Sequence, residues 1–145
     1  PYSCILRFRI IRRIPWGKIM FTANQLIAHG VGDYLLQSHR MATHKTKSLL
    51  MALIHAVTYT FPFTLMTQSP IALTTIIITH AIIDRYRLAR YVSFVKNQIG
   101  QIWDWDECDN NGYPKDTPIW LSTWLLIITD NLLHIIINAL AIQYL

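Results

Sequence analysis

The chain has 145 residues, of which 52% are apolar and 14% charged, with a formal net charge of +5. That length allows one domain, and the charged content falls well below the roughly 25% of an average soluble domain. The positive balance does not indicate nucleic acid, because the basic residues flank apolar segments and form no stripe of their own. Basic residues so placed mark the cytoplasmic margin of a membrane protein. Cys4 and Cys108 are the only cysteines, too far apart in sequence to define a disulfide framework or a zinc knuckle.

Residues 1–19 mix basic and apolar side chains, as in Arg7-Phe8-Arg9-Ile10-Ile11-Arg12-Arg13. They lack the long apolar core and small-residue cleavage site of a signal peptide. Met20 directly precedes the first good apolar segment. The expectation is a domain over 20–145 that starts at Met20, with 1–19 as an extension outside it. The competing reading is a basic amphipathic arm on a membrane surface.

The first helical segment is expected over residues 21–41. Its apolar part, 21–36, is about 16 residues and short for a full span. A basic turn follows, with Ser38-His39-Arg40 and Thr43-His44-Lys45-Thr46-Lys47. The second segment, 48–66, has about 19 residues without formal charge, a good transmembrane candidate. Thr67-Gln68-Ser69-Pro70 is a tight turn, and Pro70 suits the first position of the next helix. The third segment runs from 71 into the Tyr91 region. It is apolar as far as Ile83, then meets Asp84, Arg85, Arg87 and Arg90. Residues 103–118 read as one solvated loop rich in turn formers. Its acidic spacing fails the EF-hand pattern, because the twelfth position counted from Glu107 is Pro118. The fourth segment, 119–145, is long enough to span with tilt, with Trp120, Trp124 and Tyr144 near its ends as interface aromatics.

The expected fold is therefore all-α, an integral membrane bundle of about four transmembrane helices. Arg40, Lys45, Lys47, Arg85, Arg87, Arg90 and Lys96 fall on one side of such a bundle. The positive-inside rule then puts loops 38–47 and 85–118 in the cytoplasm and both ends of the 20–145 domain outside. The expected location is the cytoplasmic (inner) membrane, multi-pass, with the lipid bilayer as partner.

The apolar segments hold three acidic residues, and each has a histidine four residues away: His29 with Asp33, His80 with Asp84, and Asp130 with His134. Residues four apart share one helix face. The first and third segments run the same way and read His then Asp. The fourth runs the opposite way and reads Asp then His. Antiparallel packing then puts the three His near one depth and the three Asp near another, as a shared site would require. His55 in the second segment is a further candidate, with Tyr59 one turn on.

Imidazole nitrogen and carboxylate oxygen are ligands that zinc, manganese and iron(II) accept. Seven such groups exceed the needs of one tetrahedral ion, so either two ions bind or some groups orient the ligands. The same residues suit a proton or ion path, or a structural polar network whose bonds are worth about 1 kcal/mol each. Against the network stands the cost of an ionised carboxylate near the bilayer centre, about 2.5–3.5 kcal/mol or more. Asn138 continues the Asp130–His134 face and Asn131 neighbours it, as interhelical hydrogen-bonders or site residues, and Gln25 and Gln37 extend the His29–Asp33 face in interface roles. Gly30 and Gly32 are expected to permit close helix approach, Arg85 and Arg87 to reach lipid phosphate, and His39 and His44 to be solvated.

His29-Gly30-Val31-Gly32-Asp33-Tyr34-Leu35-Leu36-Gln37-Ser38, with Met41-Ala42 after it, resembles the opening motif of a bacterial and phage membrane family, domain of unknown function 3307. His80-Ala81-Ile82-Ile83-Asp84-Arg85 is similar to its second motif. Gly112-Tyr113-Pro114, Trp120-Leu121 and Asp130-Asn131-Leu132-Leu133-His134 are similar to its ending. The resemblance covers about residues 20–145 and brings no activity with it. The His-x-x-x-Asp pattern is also similar, at a distance, to membrane-bound metal-dependent hydrolases.

The functional expectation is a membrane-embedded metal-dependent hydrolase, with its site toward the cytoplasmic leaflet and a lipid headgroup or other membrane-borne ester as substrate. His29, Asp33, His55, His80, Asp84, Asp130 and His134 are its candidate metal ligands and catalytic groups, for one or two transition-metal ions. The alternative is a non-enzymatic protein, either an ion or proton transporter or a small phage membrane effector.

Overall fold

The computed structural model describes residues 22–145. The extension or arm expected at 1–19, and the start expected at Met20, lie outside the described residues. In order, the elements are α1 (Ala23–Gly30), a π turn (Val31–Leu35), α2 (His39–His44), α3 (Leu49–Thr60) with a 3-10 extension (Phe61–Leu65), α4 (Pro70–Tyr86), α5 (Leu88–Asn97), a 3-10 turn (Trp105–Glu107) and α6 (Ile119–Tyr144). Among the described residues the fold is all-helical, apart from an isolated bridge between Cys108 and Pro114.

The first four helices each start on a hydroxyl. Thr22, Ser38, Ser48 and Ser69 accept from the backbone N–H three residues on, satisfying a donor that a helix start leaves open. Gln25 completes the cap of α1 by accepting from the Thr22 N–H. Pro62 has no N–H to return to the Thr58 carbonyl, and α3 tightens there into 3-10 geometry.

The buried faces follow helical spacing. α3 buries Ala52, His55, Ala56, Tyr59 and Thr60, and α4 buries Ala72, Ile76, His80, Ala81, Ile83 and Asp84. On α6 the buried set includes Ser122, His134, Asn138 and Ala141. α3 packs on α4 and α4 on α6, while α1 packs on α6 and the π turn on α3. The many alanines on these faces let helix axes come close. Ala28, Tyr59, Phe63, Ile76 and Ala141 form an apolar cluster. Beside it the interior is polar, with His55, His80 and His134 almost wholly buried. The outside is apolar: Leu65 and Ile102 are each 88% exposed, and Leu50, Phe61, Ile71, Trp120 and Trp124 are exposed with them.

The first segment is not one helix over 21–41. It ends in the π turn, where the Leu36 N–H donates to the Val31 carbonyl, and α2 starts afresh on its Ser38 cap. The basic stretch 38–47, expected as a turn, thus contains a six-residue helix. The third segment stops at Tyr86 instead of running into the Tyr91 region. Arg87 takes φ 52° and ψ 50°, a left-handed conformation that ends a helix, and α5 begins at Leu88 inside the expected 85–118 loop.

Residues 103–118 are not merely solvated. Cys108 and Tyr113 are buried, Asn97 donates to the Gly112 carbonyl, and Asn111 donates to the Ser122 hydroxyl. Gly112 has φ +81°, and a Cβ there would collide with the Arg90 and Phe94 backbone, so the turn docks on α5 only with glycine. Of the four expected spans, α6 alone among the described helices is long and apolar enough to cross a bilayer. The apolar run Leu49–Leu65 is shorter, α4 has 17 residues and α1 has eight.

Gly32 and Gly30 separate cleanly. A Cβ on Gly32 would lie 2.6 Å from the Tyr59 ring and 2.7 Å from the Tyr59 carbonyl oxygen, whereas one on Gly30 meets nothing within 4 Å. Gly32→Ala should therefore destabilise the fold by about 1–3 kcal/mol, the usual cost of overpacking. Gly30→Ala, at a helical φ of −62°, should be neutral or stabilising by up to about 1 kcal/mol. Thermal unfolding of the two variants in detergent, beside the parent, measures the difference; equal midpoints would contradict the close contact at Tyr59.

Candidate functional site

Asp33 comes from the π turn, His55 from α3, and His80 and Asp84 from successive turns of α4. A π turn widens the helix and re-aims its side chains, and Asp33 reaches across to α3 from there. Its Oδ1 accepts from His55 Nε2 at 3.1 Å and lies 3.6 Å from His80 Nε2. Asp84 Oδ2 lies 3.3 Å from His55 Nε2 and 3.1 Å from His80 Nε2. Neither His80 Nε2 nor Asp84 Oδ2 makes an aligned hydrogen bond.

Those spacings are informative. An ion held tetrahedrally by bonds of about 2.0–2.1 Å sets its ligand atoms about 3.3–3.4 Å apart. The four His-to-Asp separations among Asp33 Oδ1, His55 Nε2, His80 Nε2 and Asp84 Oδ2 run from 3.1 to 3.6 Å. All four residues are buried, and these atoms lie within 4.8 Å of one another. The donor set thus fits a divalent transition ion. A second group, Asp84, Asp130 and His134, satisfies the same spacing. His134 Nε2 lies 3.7 Å from Asp84 Oδ1 and 3.7 Å from Asp130 Oδ2, and hydrogen-bonds to neither. Asp130 is the most accessible of the three carboxylates, its side chain 32% exposed.

His29 stands apart from both groups. Its Nε2 donates to Asn131 Oδ1 at 2.8 Å, and its Nδ1 accepts from the Tyr59 hydroxyl at 2.8 Å. Tyr59 in turn accepts from Asn138 Nδ2. With both ring nitrogens engaged, His29 has no lone pair free for a ligand. Asp33 Oδ2 is 3.6 Å away from it. Tyr59, wholly buried, also stacks on His80 with centroids 3.7 Å apart and an 18° tilt. It thereby fixes the ring that faces both carboxylates. Asn131 and Asn138, on α6, are interhelical hydrogen-bonders in this arrangement. Gln37 donates to the Asp33 carbonyl, and His39 and His44 are exposed away from the site.

One site residue escapes sequence reasoning. Lys45 reads there only as one of several basic loop residues, yet its Nζ lies 2.9 Å from Asp84 Oδ2 and 3.4 Å from His55 Nε2. It arrives because α2 packs on α3, and because Arg85 donates to the Thr46 carbonyl at 2.6 Å. Arg85 thus ties α4 to the α2–α3 connection instead of reaching outward to lipid. No spacing rule links Lys45 to residues 10 and 39 positions away.

The cluster opens on a cleft of about 270 Å³. Asp33, Asp84, Asp130 and Lys45 line it, together with Arg87, Arg90 and the apolar Leu126 and Ile127. Arg90 donates to Asn110 and to the Tyr91 hydroxyl, whereas Arg87 is exposed on its left-handed backbone.

No curated protein and no solved structure matches the chain. Residues 21–145, which hold every residue of both His/Asp groups, match the family described as "Protein of unknown function (DUF3307)", and the chain belongs to that family.

Proposed function

We propose that this protein is a membrane-embedded, metal-dependent hydrolase acting on a lipid headgroup or another membrane-borne ester. The observation that carries the reading is the convergence of Asp33, His55, His80 and Asp84, at metal-ligand spacing, beside a cleft that Arg87 and Arg90 help to line. A divalent ion bound by them, expanding beyond four-coordination to take up a water, would make that water nucleophilic near neutral pH and polarise the ester. Hydrolysis joins the water oxygen to the phosphoryl or acyl centre, breaks the bond to the alcohol oxygen, and leaves a proton on that oxygen. Arg87 is available for an anionic oxygen, Lys45 adds positive charge beside Asp84, and Leu126 and Ile127 offer apolar surface for a hydrocarbon chain.

The membrane part of the reading rests on the inverted polarity, with buried His and Asp inside and exposed Leu, Ile, Phe and Trp outside. The 26 residues of α6 extend about 39 Å, more than the roughly 30 Å of a hydrocarbon core. Its exposed Trp120 and Trp124 at one end and Tyr144 at the other suit two interfaces. With 17 residues, α4 is at the short end of the range for a span, as is Leu49–Leu65. We read these with α1 as a four-span bundle in the inner membrane, with 38–47 and 85–118 on the cytoplasmic side. Reporters after Lys45 and at Asn110 should then both read cytoplasmic, and one at the C-terminus external. A C-terminal reporter on the Lys45 side removes the four-span arrangement.

The metal reading predicts that the full chain, purified in detergent without chelator, carries about one or two transition-metal ions. Asp84→Asn should lose metal. Arg87→Gln should keep it and lose about tenfold or more in hydrolysis of anionic lipid esters, as expected for one charge-assisted contact. Retention of full metal content by Asp84→Asn would sink the assignment of the ligands.

A metal-free polar network is the second reading, and Lys45 is the observation that favours it, because an ammonium already neutralises Asp84 at 2.9 Å. In that case Lys45→Met strands a buried carboxylate and costs about 3–5 kcal/mol of stability. With an ion on Asp84 the same substitution has a small effect. Thermal unfolding of Lys45→Met, with and without added zinc, decides between them.

A further inference from the structure

Asp84 belongs to both His/Asp groups and is the only residue that does. Its two oxygens face different histidines: Oδ2 lies 3.1 Å from His80 Nε2 and 3.3 Å from His55 Nε2, and Oδ1 lies 3.7 Å from His134 Nε2. His134 is 1% exposed, and its Nε2 has no hydrogen-bond partner. A buried imidazole nitrogen without a partner, aimed between two carboxylates, lacks the satisfaction that buried polar groups normally have. Asp130, four residues earlier on α6, supplies the second of those carboxylates at 3.7 Å.

We infer that the site holds two ions, with the Asp84 carboxylate bridging a closed position formed by Asp33, His55 and His80 and an open position formed by Asp130 and His134. The inference rests on the metal reading above and deepens it. Two-metal hydrolytic sites set their ions about 3.5–4 Å apart. The rings of His80 and His134, one for each position, lie side by side with centroids 4.1 Å apart and a 35° tilt. The two positions differ in a way that separates their roles. With Asp84, the first has four protein ligands and is coordinatively full for a tetrahedral ion, as structural sites are. The second has three, as catalytic sites do; Asp33, Asp84 and Asp130 all line the cleft, and Asp130 is the most exposed of them. An ion held there would keep a coordination position for water or an ester oxygen. Two divalent ions together with Lys45 exceed the charge of the three carboxylates. The cleft therefore favours an anionic ester, and a phosphate-bearing headgroup fits it best.

The test uses Mn²⁺ alone as probe, on the full chain stripped of metal in detergent. Titration followed by electron paramagnetic resonance reads both the number of ions and their separation, because two Mn²⁺ ions bridged by a carboxylate couple magnetically. The wild-type chain should take up two equivalents and give the coupled spectrum. The double variant Asp130→Asn with His134→Gln should take up one equivalent and give the six-line spectrum of an isolated ion, with helix content unchanged by circular dichroism. One equivalent with a six-line spectrum in the wild-type chain overturns the second position and leaves the single-ion reading of the metal site standing. No uptake overturns both readings together. A coupled spectrum that survives the double variant overturns the assignment of Asp130 and His134.

Discussion

Two carboxylates inside the bundle set the terms for everything around them. Asp33 and Asp84 are each only 6% exposed, and a buried charge left without partners costs several kcal/mol. The surroundings answer that cost with His80, one turn before Asp84 on α4, and from three further segments: His55 on α3, His134 on α6 and Lys45 just after α2. Each of those contacts requires its helix at a particular rotation and height. The polar cluster therefore specifies how the bundle assembles, in an interior where apolar contacts alone would tolerate many rotations.

Behind the cluster lies a layer that holds the imidazoles in place. Tyr59 is its centre, stacked on His80, bonded to His29 and Asn138, and packed on Phe63 of the apolar cluster. Metal-binding imidazoles are commonly oriented by a hydrogen bond at the far nitrogen. Here the Nδ1 atoms of His55 and His80 have no protein partner, and packing against Tyr59 and each other does that work, with the two rings 4.9 Å apart. Gly32 belongs to the same layer, since only its missing Cβ lets the π turn lie against Tyr59.

The cleft is built by the parts of the chain that depart from plain helix. The π turn carries Asp33, the left-handed Arg87 ends α4 three residues after Asp84, and Arg90 is anchored on Asn110 of the 98–118 connection. A non-glycine residue at positive φ costs roughly 1–3 kcal/mol, and such strain concentrates where function needs a side chain re-aimed. The long apolar helix α6 contributes the opposite quality: an uninterrupted helical face that carries Asp130 and His134 one turn apart.

Much of this was legible in the residues themselves. The helical class, the limits of α6, the start of α4 at Pro70 and the pairing of His with Asp on shared faces all follow from spacing within one segment, where geometry is local and periodic. The resemblance to the DUF3307 family rested on the same local motifs. Which polar groups meet across segments did not follow. His29 and His80 sit in the same His-x-x-x-Asp pattern, yet His29 spends both nitrogens on Asn131 and Tyr59 while His80 faces two carboxylates. Lys45 looked like any other basic loop residue until α2 folded onto α3 beside Asp84. Periodicity states which face a side chain occupies. The partner across the gap depends on the turns that join the helices, and those turned at the π turn and at Arg87, where the backbone leaves the period that sequence reading assumes.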